Sequence, residues 1–319
     1  MSAELLIQNG STVFAPVVQE GIEWSTERAG SPGKLTFKVL ADGILNISEG
    51  NAVRFKWNGA NIFYGFIFSI KRDKENILTI TAYDQLRYLK NKDTYVYENK
   101  TASEVVQMIC DDFNMQTGVI ENTEYRIASR VEDSQTLFDI IQNAIDATLL
   151  NMNYMYVLFD DFGKVALRGV DNMLVNILID AETGQNFDYT SSIDEQTYNT
   201  IKLIFDNEET KQRDVYVAMD SNHINEWGVL QLYDTLQEGE NGQAKADALL
   251  GLYNQKTRKL SVKDAFGDVR VRAGSMIVVM LALADIKVQT VMMVESCKHN
   301  FSLDQHTMTL TLKGGEYIA

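Results

Sequence analysis

Alternating apolar and polar residues mark β-strands near the start of the chain. In the stretch "NAVRFKW", Val53, Phe55 and Trp57 alternate with two basic residues. Successive side chains of a strand point to opposite faces, so this pattern predicts a strand with one buried face. The Asn-Gly dipeptide at residues 58–59 predicts a two-residue hairpin turn directly after it.

The second strand of this hairpin, "NIFYGFIFSI", is apolar at almost every position. A strand that is apolar on both faces is typical of a central strand or of a contact with another subunit. Gly65 inside it predicts a bulge or a sharp bend. A charged turn and the strand "ILTITA" complete a strand-turn-strand unit, and a similar unit, "MVESCKHNFSLDQHTMTLTLKGG", recurs over residues 293–315.

The middle of the chain changes to a helical period. Thr101 and Glu104 form a T-x-x-E capping box ahead of one apolar helical face. A second helix is predicted to begin near Ser134, and two short strands joined by a turn at "DDFG" follow it. After about residue 195 the strand pattern returns, with one helix predicted near 243–257.

The two β regions present the same features in the same order. Each has a glycine, a strand, a Ser-x-Lys and then a Thr-x-Thr, and the connections are longer in the second copy. The matched positions are Gly50 and Gly274, Ser69 and Ser296, Lys71 and Lys298, Thr79 and Thr309, and Thr81 and Thr311. This order predicts a structural repeat.

We therefore predict a mainly β fold with an α+β middle, in which two related β-barrel domains flank a small α/β domain. The first barrel is predicted over residues 1–95 and the small domain, with its two helices, over 96–190. The second barrel is predicted over 191–319 and includes the helix near 243–257. Residues 172–200 have no assigned role.

Composition narrows the classes of function. The net charge of −15 argues against specific binding of nucleic acid, which needs clustered basic residues. Two distant cysteines, Cys110 and Cys297, predict no disulfide framework. The longest apolar run, nine residues from Met276 to Ala284, is too short to cross a bilayer, and no signal peptide is visible. We expect a reducing site of synthesis and no membrane insertion.

Candidate catalytic chemistry is sparse. His299, Asp304 and His306 could meet at a hairpin turn, but an exposed turn is the favoured interpretation, as it is for the polar surroundings of His223. The adjacent acids Asp111–Asp112 and Asp160–Asp161 are interpreted as solvated surface. The sequence carries no phosphate-binding loop, nucleophile elbow or zinc-protease motif. We predict no catalytic residue, no cofactor and no metal site.

Aromatic residues crowd the first hairpin. They fit the core of a barrel and a contact between subunits equally well, and both interpretations stay open. The candidate subunit-contact residues are Trp57, Phe63, Tyr64, Phe66 and Phe68.

Three stretches resemble a known family. They are "GFIFSIKRDKENILTITAYDQLRYLKN", "KTASEVVQMICDDFN" and "FGDVRVRAGSMIVV". The chain resembles the baseplate hub proteins of contractile phage tails and of phage-tail-like bacteriocins, and within them the XkdQ/YqbQ-like family. These motifs are structural and none is catalytic.

The resemblance implies a structural, non-enzymatic virion component that is synthesised in the bacterial cytoplasm and assembled into the tail baseplate of a phage or phage-tail-like particle. Such hubs carry two similar barrels per chain and assemble as homotrimers, so that six pseudo-equivalent units form a ring. The ring adapts the six-fold tail tube to the three-fold spike. The implied partners are a second copy of the chain, the tail tube protein, the spike protein and other baseplate proteins, with a tape-measure protein in the channel.

Two other classes of function remain as alternatives. A particle-associated cell-wall hydrolase would need converging acids or a metal in a cleft. A carbohydrate- or receptor-binding module would need exposed aromatic residues.

Overall fold

The structure is a computed structural model, and it describes residues 2–19, 21–41, 43–180, 186–207, 211–236, 239–283, 286–303 and 305–314. Seven strands form what we call the N-terminal β unit, and they pair antiparallel in the order β3-β4-β7-β6-β5-β1-β2. The strands are β1 (Ala3–Asn9), β2 (Thr12–Phe14), β3 (Ile22–Glu27), β4 (Lys34–Leu40), β5 (Ala52–Trp57), β6 (Ala60–Arg72) and β7 (Ile77–Tyr83).

The predicted hairpin joins β5 to β6. Asn58 and Gly59 both have positive φ, 48° and 82°, as a type I′ turn requires. Val53, Phe55 and Trp57 are all buried, in agreement with the alternation seen in the sequence.

A small α/β region follows the N-terminal β unit. After a 3-10 helix (Gln85–Lys90) come β8 (Lys92–Thr101), α1 (Ala102–Asp112), β9 (Thr117–Ile120), β10 (Arg126–Thr136), α2 (Leu137–Met152), β11 (Tyr156–Asp160) and β12 (Val165–Gly169). The capping box of α1 is confirmed, because Thr101 Oγ1 accepts from the Glu104 amide and Glu104 Oε2 accepts from the Thr101 amide. Helix α2 begins three residues later than predicted, since β10 runs through Ser134.

The stretch 172–200, which had no assigned role, contributes two strands to the large sheet that also contains β1–β7. These are β13 (Leu174–Ile179) and β14 (Asn186–Ser192). Strand β13 pairs with β19 (Met276–Leu283), and β14 pairs with β18 (Thr257–Phe266).

A second small α/β region lies between β14 and β18. It contains β15 (Thr200–Asn207), β16 (Gln212–Met219), α3 (Ser221–Trp227), β17 (Gln231–Thr235) and α4 (Gly242–Tyr253). The three strands pair in the order β16-β15-β17, and α4 packs Ala246 and Leu249 against Ile201 and Leu203.

The last strands are β20 (Ile286–Phe301) and β21 (His306–Gly314). Together with β13, β14, β18 and β19 they form the C-terminal β unit, which has its own core of Ile277, Leu310 and their neighbours. The N-terminal and C-terminal β units belong to one thirteen-stranded sheet.

The predicted fold class, mainly β with an α+β middle, is confirmed. The division into domains at 95/96 and 190/191 stays a prediction. The hydrogen bonds place β13 and β14, which precede residue 191, in the sheet of the C-terminal β unit.

Candidate functional site

The two β units have the same strand order. The N-terminal unit reads β3-β4-β7-β6-β5-β1, and the C-terminal unit reads β14-β18-β21-β20-β19-β13. Each neighbouring pair is antiparallel in both units except the last, because β13 runs parallel to β19 whereas β1 runs antiparallel to β5. The predicted structural repeat is therefore present at the level of topology.

The registers of the repeat agree residue by residue. In the first copy Ser69 is opposite Thr81 and Lys71 is opposite Thr79. In the second copy the corresponding pairs are Ser296 with Thr311 and Lys298 with Thr309. The register also shifts directly before Ser69 and directly before Ser296.

The matched glycines make matched turns. The Gly50 amide donates to Ile67 O at 2.7 Å, and the Ile67 amide donates to Asn51 O at 2.9 Å. In the second copy the Gly274 amide donates to Val294 O and the Val294 amide donates to Ser275 O, at the same two distances. Gly50 and Gly274 have φ values of 87° and 88°, which favour glycine.

Strand pairing also matches two segments that sequence comparison missed. Through their partners on β7 and β21, "KLTFK" (34–38) is equivalent to "KLSVK" (259–263), and "IEWST" (22–26) is equivalent to "FDYTS" (187–191). Residues 28–33 connect β3 to β4. In the second copy, residues 193–256, which include the second α/β region, connect β14 to β18. That insertion conceals the repeat in a linear comparison.

Pairing between β20 and β3 joins the two β units. Residues 296–301 of β20 pair antiparallel with residues 22–27 of β3. At this joint Lys298 Nζ lies 2.5 Å from Glu23 Oε2, and Arg28 Nε donates to both carboxylate oxygens of Glu295 at 3.0 Å. Phe301, at the end of β20, belongs to the core of the N-terminal β unit.

Two histidines lie in the joint, and for one of them the expected exposed turn is wrong. His299 is fully buried, and its Nε2 donates to Val271 O at 2.9 Å. Its Nδ1 therefore accepts, from His306 Nε2 at 2.9 Å. Burial lowers the pKa of His299 to about 3 and that of His306 to about 4, so both rings are neutral.

The histidines and acids do not assemble a metal site in the described part of the chain. No group of three or more His, Cys, Asp or Glu side chains that could hold a metal occurs there. Asp304 lies outside the described residues. His223 is elsewhere, on α3, where its Nδ1 lies 2.7 Å from Asn254 Oδ1 and its ring stacks on Trp227.

The adjacent acids have structural partners. Asp111 accepts from Gln107 Nε2, and Asp112 accepts from the Tyr95 hydroxyl, both at 2.8 Å. The interpretation of Asp160 as solvated surface is wrong, because this residue is buried and accepts from the Gly163 amide at 2.7 Å. Burial raises the pKa of Asp160 to about 7.

The five candidate contact aromatics separate into two groups. Trp57 and Phe63 are buried in the core of the N-terminal β unit. Tyr64, Phe66 and Phe68 are half-buried on the other face of β6, where they meet Phe162 and Tyr88 from the first α/β region. Any contribution of the hairpin to a subunit contact therefore falls to the second group.

The two strand edges equivalent to those that meet at the joint have no neighbour among the described residues. Strand β14 pairs with β18 alone, and residues 69–72 of β6 pair with β7 alone. Unpaired edges of this kind are templates for pairing with another chain. Within the same described ranges no helix combines the length and apolar character needed to cross a membrane.

Comparison with known proteins identifies a family, two relatives and a solved structure with a similar fold. A family model described as YQBQ-like matches residues 22–313. The chain is 34% identical to the phage-like element PBSX protein XkdQ and 31% identical to the uncharacterized protein YqbQ, both of Bacillus subtilis (strain 168), in each case over 94% of this chain and 93% of the relative. The crystal structure of the prophage MuSo2 43 kDa tail protein from Shewanella oneidensis superposes with a TM-score of 0.70 at 12% identity, covering 99% of this chain and all of that one.

Proposed function

The chain belongs to the YQBQ-like family, and from this membership we propose that it is a structural baseplate hub of a contractile tail or tail-like injection particle. It acts as a homotrimer, non-enzymatically, in a ring that adapts the six-fold tail tube to the three-fold spike. The kinship with XkdQ, a protein of a phage-like element, and the fold shared with a prophage tail protein support a place in a tail.

One observation carries the proposal. Two topologically equivalent β units are joined edge to edge within one chain, and the two edges equivalent to those that meet at this joint, on β14 and on residues 69–72 of β6, have no neighbour among the described residues. A contact that repeats head to tail either closes a ring or grows a filament. A chain that supplies two equivalent units doubles the apparent symmetry of the ring, so three chains present six units to the tube.

The proposed partners are further copies of this chain, the tail tube protein on the six-unit face, the spike protein on the opposite side and neighbouring baseplate proteins. A tape-measure protein passing through the channel would meet the inner wall of the ring. The net charge of −15 supports a wall that does not retain nucleic acid.

Size-exclusion chromatography with light scattering tests the proposal on the full-length chain. We expect a trimer, either alone or after mixing with the tail tube and spike proteins of the same particle. Electron-microscopy class averages of that species should have a pseudo-six-fold ring. A chain that stays monomeric in the presence of both proteins, or one that digests purified peptidoglycan, would overturn the proposed hub.

A further inference from the structure

The joint within the chain is a template for the contact between chains. We propose that residues 69–72 of β6 in one copy add, antiparallel, to β14 of the next copy, and that Lys71 pairs with Asp188 and Arg72 lies on Tyr189 across this contact. The inference rests on the proposed function, because it specifies how copies of the chain meet in the ring.

The register follows from the repeat. Strand β6 is the equivalent of β20, and β14 is the equivalent of β3. Within the chain Ser296 is opposite Glu27, Lys298 is opposite Ser25 and His299 is opposite Trp24. Replacing each residue by its equivalent in the other unit puts Ser69 opposite Ser192, Lys71 opposite Thr190 and Arg72 opposite Tyr189.

The charges at the transferred positions are complementary. Lys298 and Glu23 form an ion pair at the joint. Their equivalents are Lys71 and Asp188, so the β6 side again supplies the base and the β14 side the acid. Both residues are exposed, and in the described part of the chain neither has an ion-pair partner. Asp73, which follows β6, accepts from the amides of Glu75 and Ile77, so its carboxylate is held in the turn.

The stacked aromatic side chains at the joint also have a counterpart at the proposed contact. His299 stacks on Trp24 with the ring centroids 5.0 Å apart. The equivalent residues are Arg72 and Tyr189, and a guanidinium lies favourably on the face of an aromatic ring. The chemistry of a planar polar group on an aromatic face is therefore retained, although neither residue type is.

Two interactions of the joint have no counterpart at the proposed contact between copies. Arg28 and Glu295 correspond to Ile193 and Phe68, which cannot form an ion pair. Phe301, which fills the neighbouring core, corresponds to Lys74, which is exposed. The contact between copies thus has less buried apolar surface than the joint within the chain, as suits subunits that fold first and associate afterwards.

Engineered cysteines test the register. Both native cysteines are buried and free, so oxidation reports on the introduced pair. In the full-length chain Lys71→Cys with Thr190→Cys should give covalent trimers on non-reducing gels. The control, Lys71→Cys with Ser191→Cys, puts the second thiol on the opposite face of β14 and should give almost none. Equal cross-linking of both variants, or of neither while the wild type forms oligomers, would overturn the proposed register.

Charge reversal tests the ion pair. Lys71→Glu and Asp188→Lys should each lower the association constant of the oligomer by about tenfold, because like charges then face each other. The double variant, which exchanges the two charges in every copy, should recover most of that loss. The control Lys92→Glu makes the same charge change on β8 and should have no effect. Failure of the double variant to recover rejects the pair while leaving a hub intact, whereas the absence of any wild-type oligomer, with tube and spike proteins present, rejects the proposed function itself.

Discussion

The ring of Phe301, at the end of β20, lies 5.0 Å from the ring of Phe55 in the core of the other β unit, in an edge-to-face arrangement. Phe301 is only 2% exposed, and its ring also packs near Trp57. A residue from the C-terminal part of the chain thus completes the core of the N-terminal β unit. The two units are coupled by this side chain as well as by strand pairing.

Phe301→Ala should destabilise the chain strongly. Truncation of a fully buried phenylalanine typically costs about 3–5 kcal/mol, since it removes apolar contacts and leaves a cavity. Urea unfolding followed by tryptophan fluorescence measures the loss. The matched control is Phe266→Ala on β18, where the side chain is 78% exposed and the expected change is within about 0.5 kcal/mol. Similar losses for the two variants would contradict the proposed coupling.

Local patterns in the sequence predicted local structure well. The alternation around Phe55, the Asn-Gly turn and the capping box of Thr101 each depend on residues that are neighbours along the chain. The repeat was visible only in the hairpin strands, where the matched Ser, Lys and Thr residues stay in order. The equivalence of β3–β4 to β14–β18 was missed because the intervening α/β region separates the second pair of strands.

Long-range burial could not be predicted from the sequence. His299 occupies a polar hairpin, and nothing next to it along the chain indicates that β3, from the opposite end of the chain, covers it. Asp160 precedes a turn and looks like a surface residue, yet the packing of the first α/β region against both β units buries it. The unpaired edges of β6 and β14 are likewise a property of the assembled sheet.

Asp160→Asn should stabilise the chain at neutral and basic pH. The pKa of Asp160 is raised to about 7 by burial, and its Oδ2 has no hydrogen-bond partner among the described residues. A carboxyl whose pKa is higher in the folded state favours folding while it is protonated, and this contribution is lost as pH rises through about 7. Removing the charge should therefore add about 2 kcal/mol at pH 8 and little at pH 4.

Thermal unfolding of Asp160→Asn across that pH range measures the effect. Asp161→Asn is the matched control, because this neighbouring side chain is exposed. We expect its unfolding temperature to follow that of the wild type at every pH. An Asp160→Asn chain with the pH dependence of the wild type would show that Asp160 is not held neutral by burial.

The contribution of the two histidines of the joint to stability should fall as pH falls, whereas that of Asp160 falls as pH rises. The pKa of His299 is lowered to about 3 and that of His306 to about 4, chiefly by burial. Their contribution to stability is complete above the ordinary histidine value and is lost as pH falls below about 6.5 toward these lowered values. Carbon-13 NMR of the imidazoles should find both rings neutral at about pH 5. A protonated His299 at that pH would contradict its burial under β3.

Gly65 is required by a close approach of two strands. A Cβ on residue 65 would collide with the carbonyl oxygen of Tyr83 on β7 and with the ring of Phe63, and the carbonyl cannot move without breaking the sheet. Gly65→Ala should cost about 2–3 kcal/mol in urea unfolding. Gly251→Ala on α4 is the matched control, because nothing lies within 4 Å of its added Cβ and alanine favours a helix, so this variant should gain about 0.5–1 kcal/mol. If the two substitutions changed stability in the same direction, the close approach at Gly65 would not be what determines the residue there.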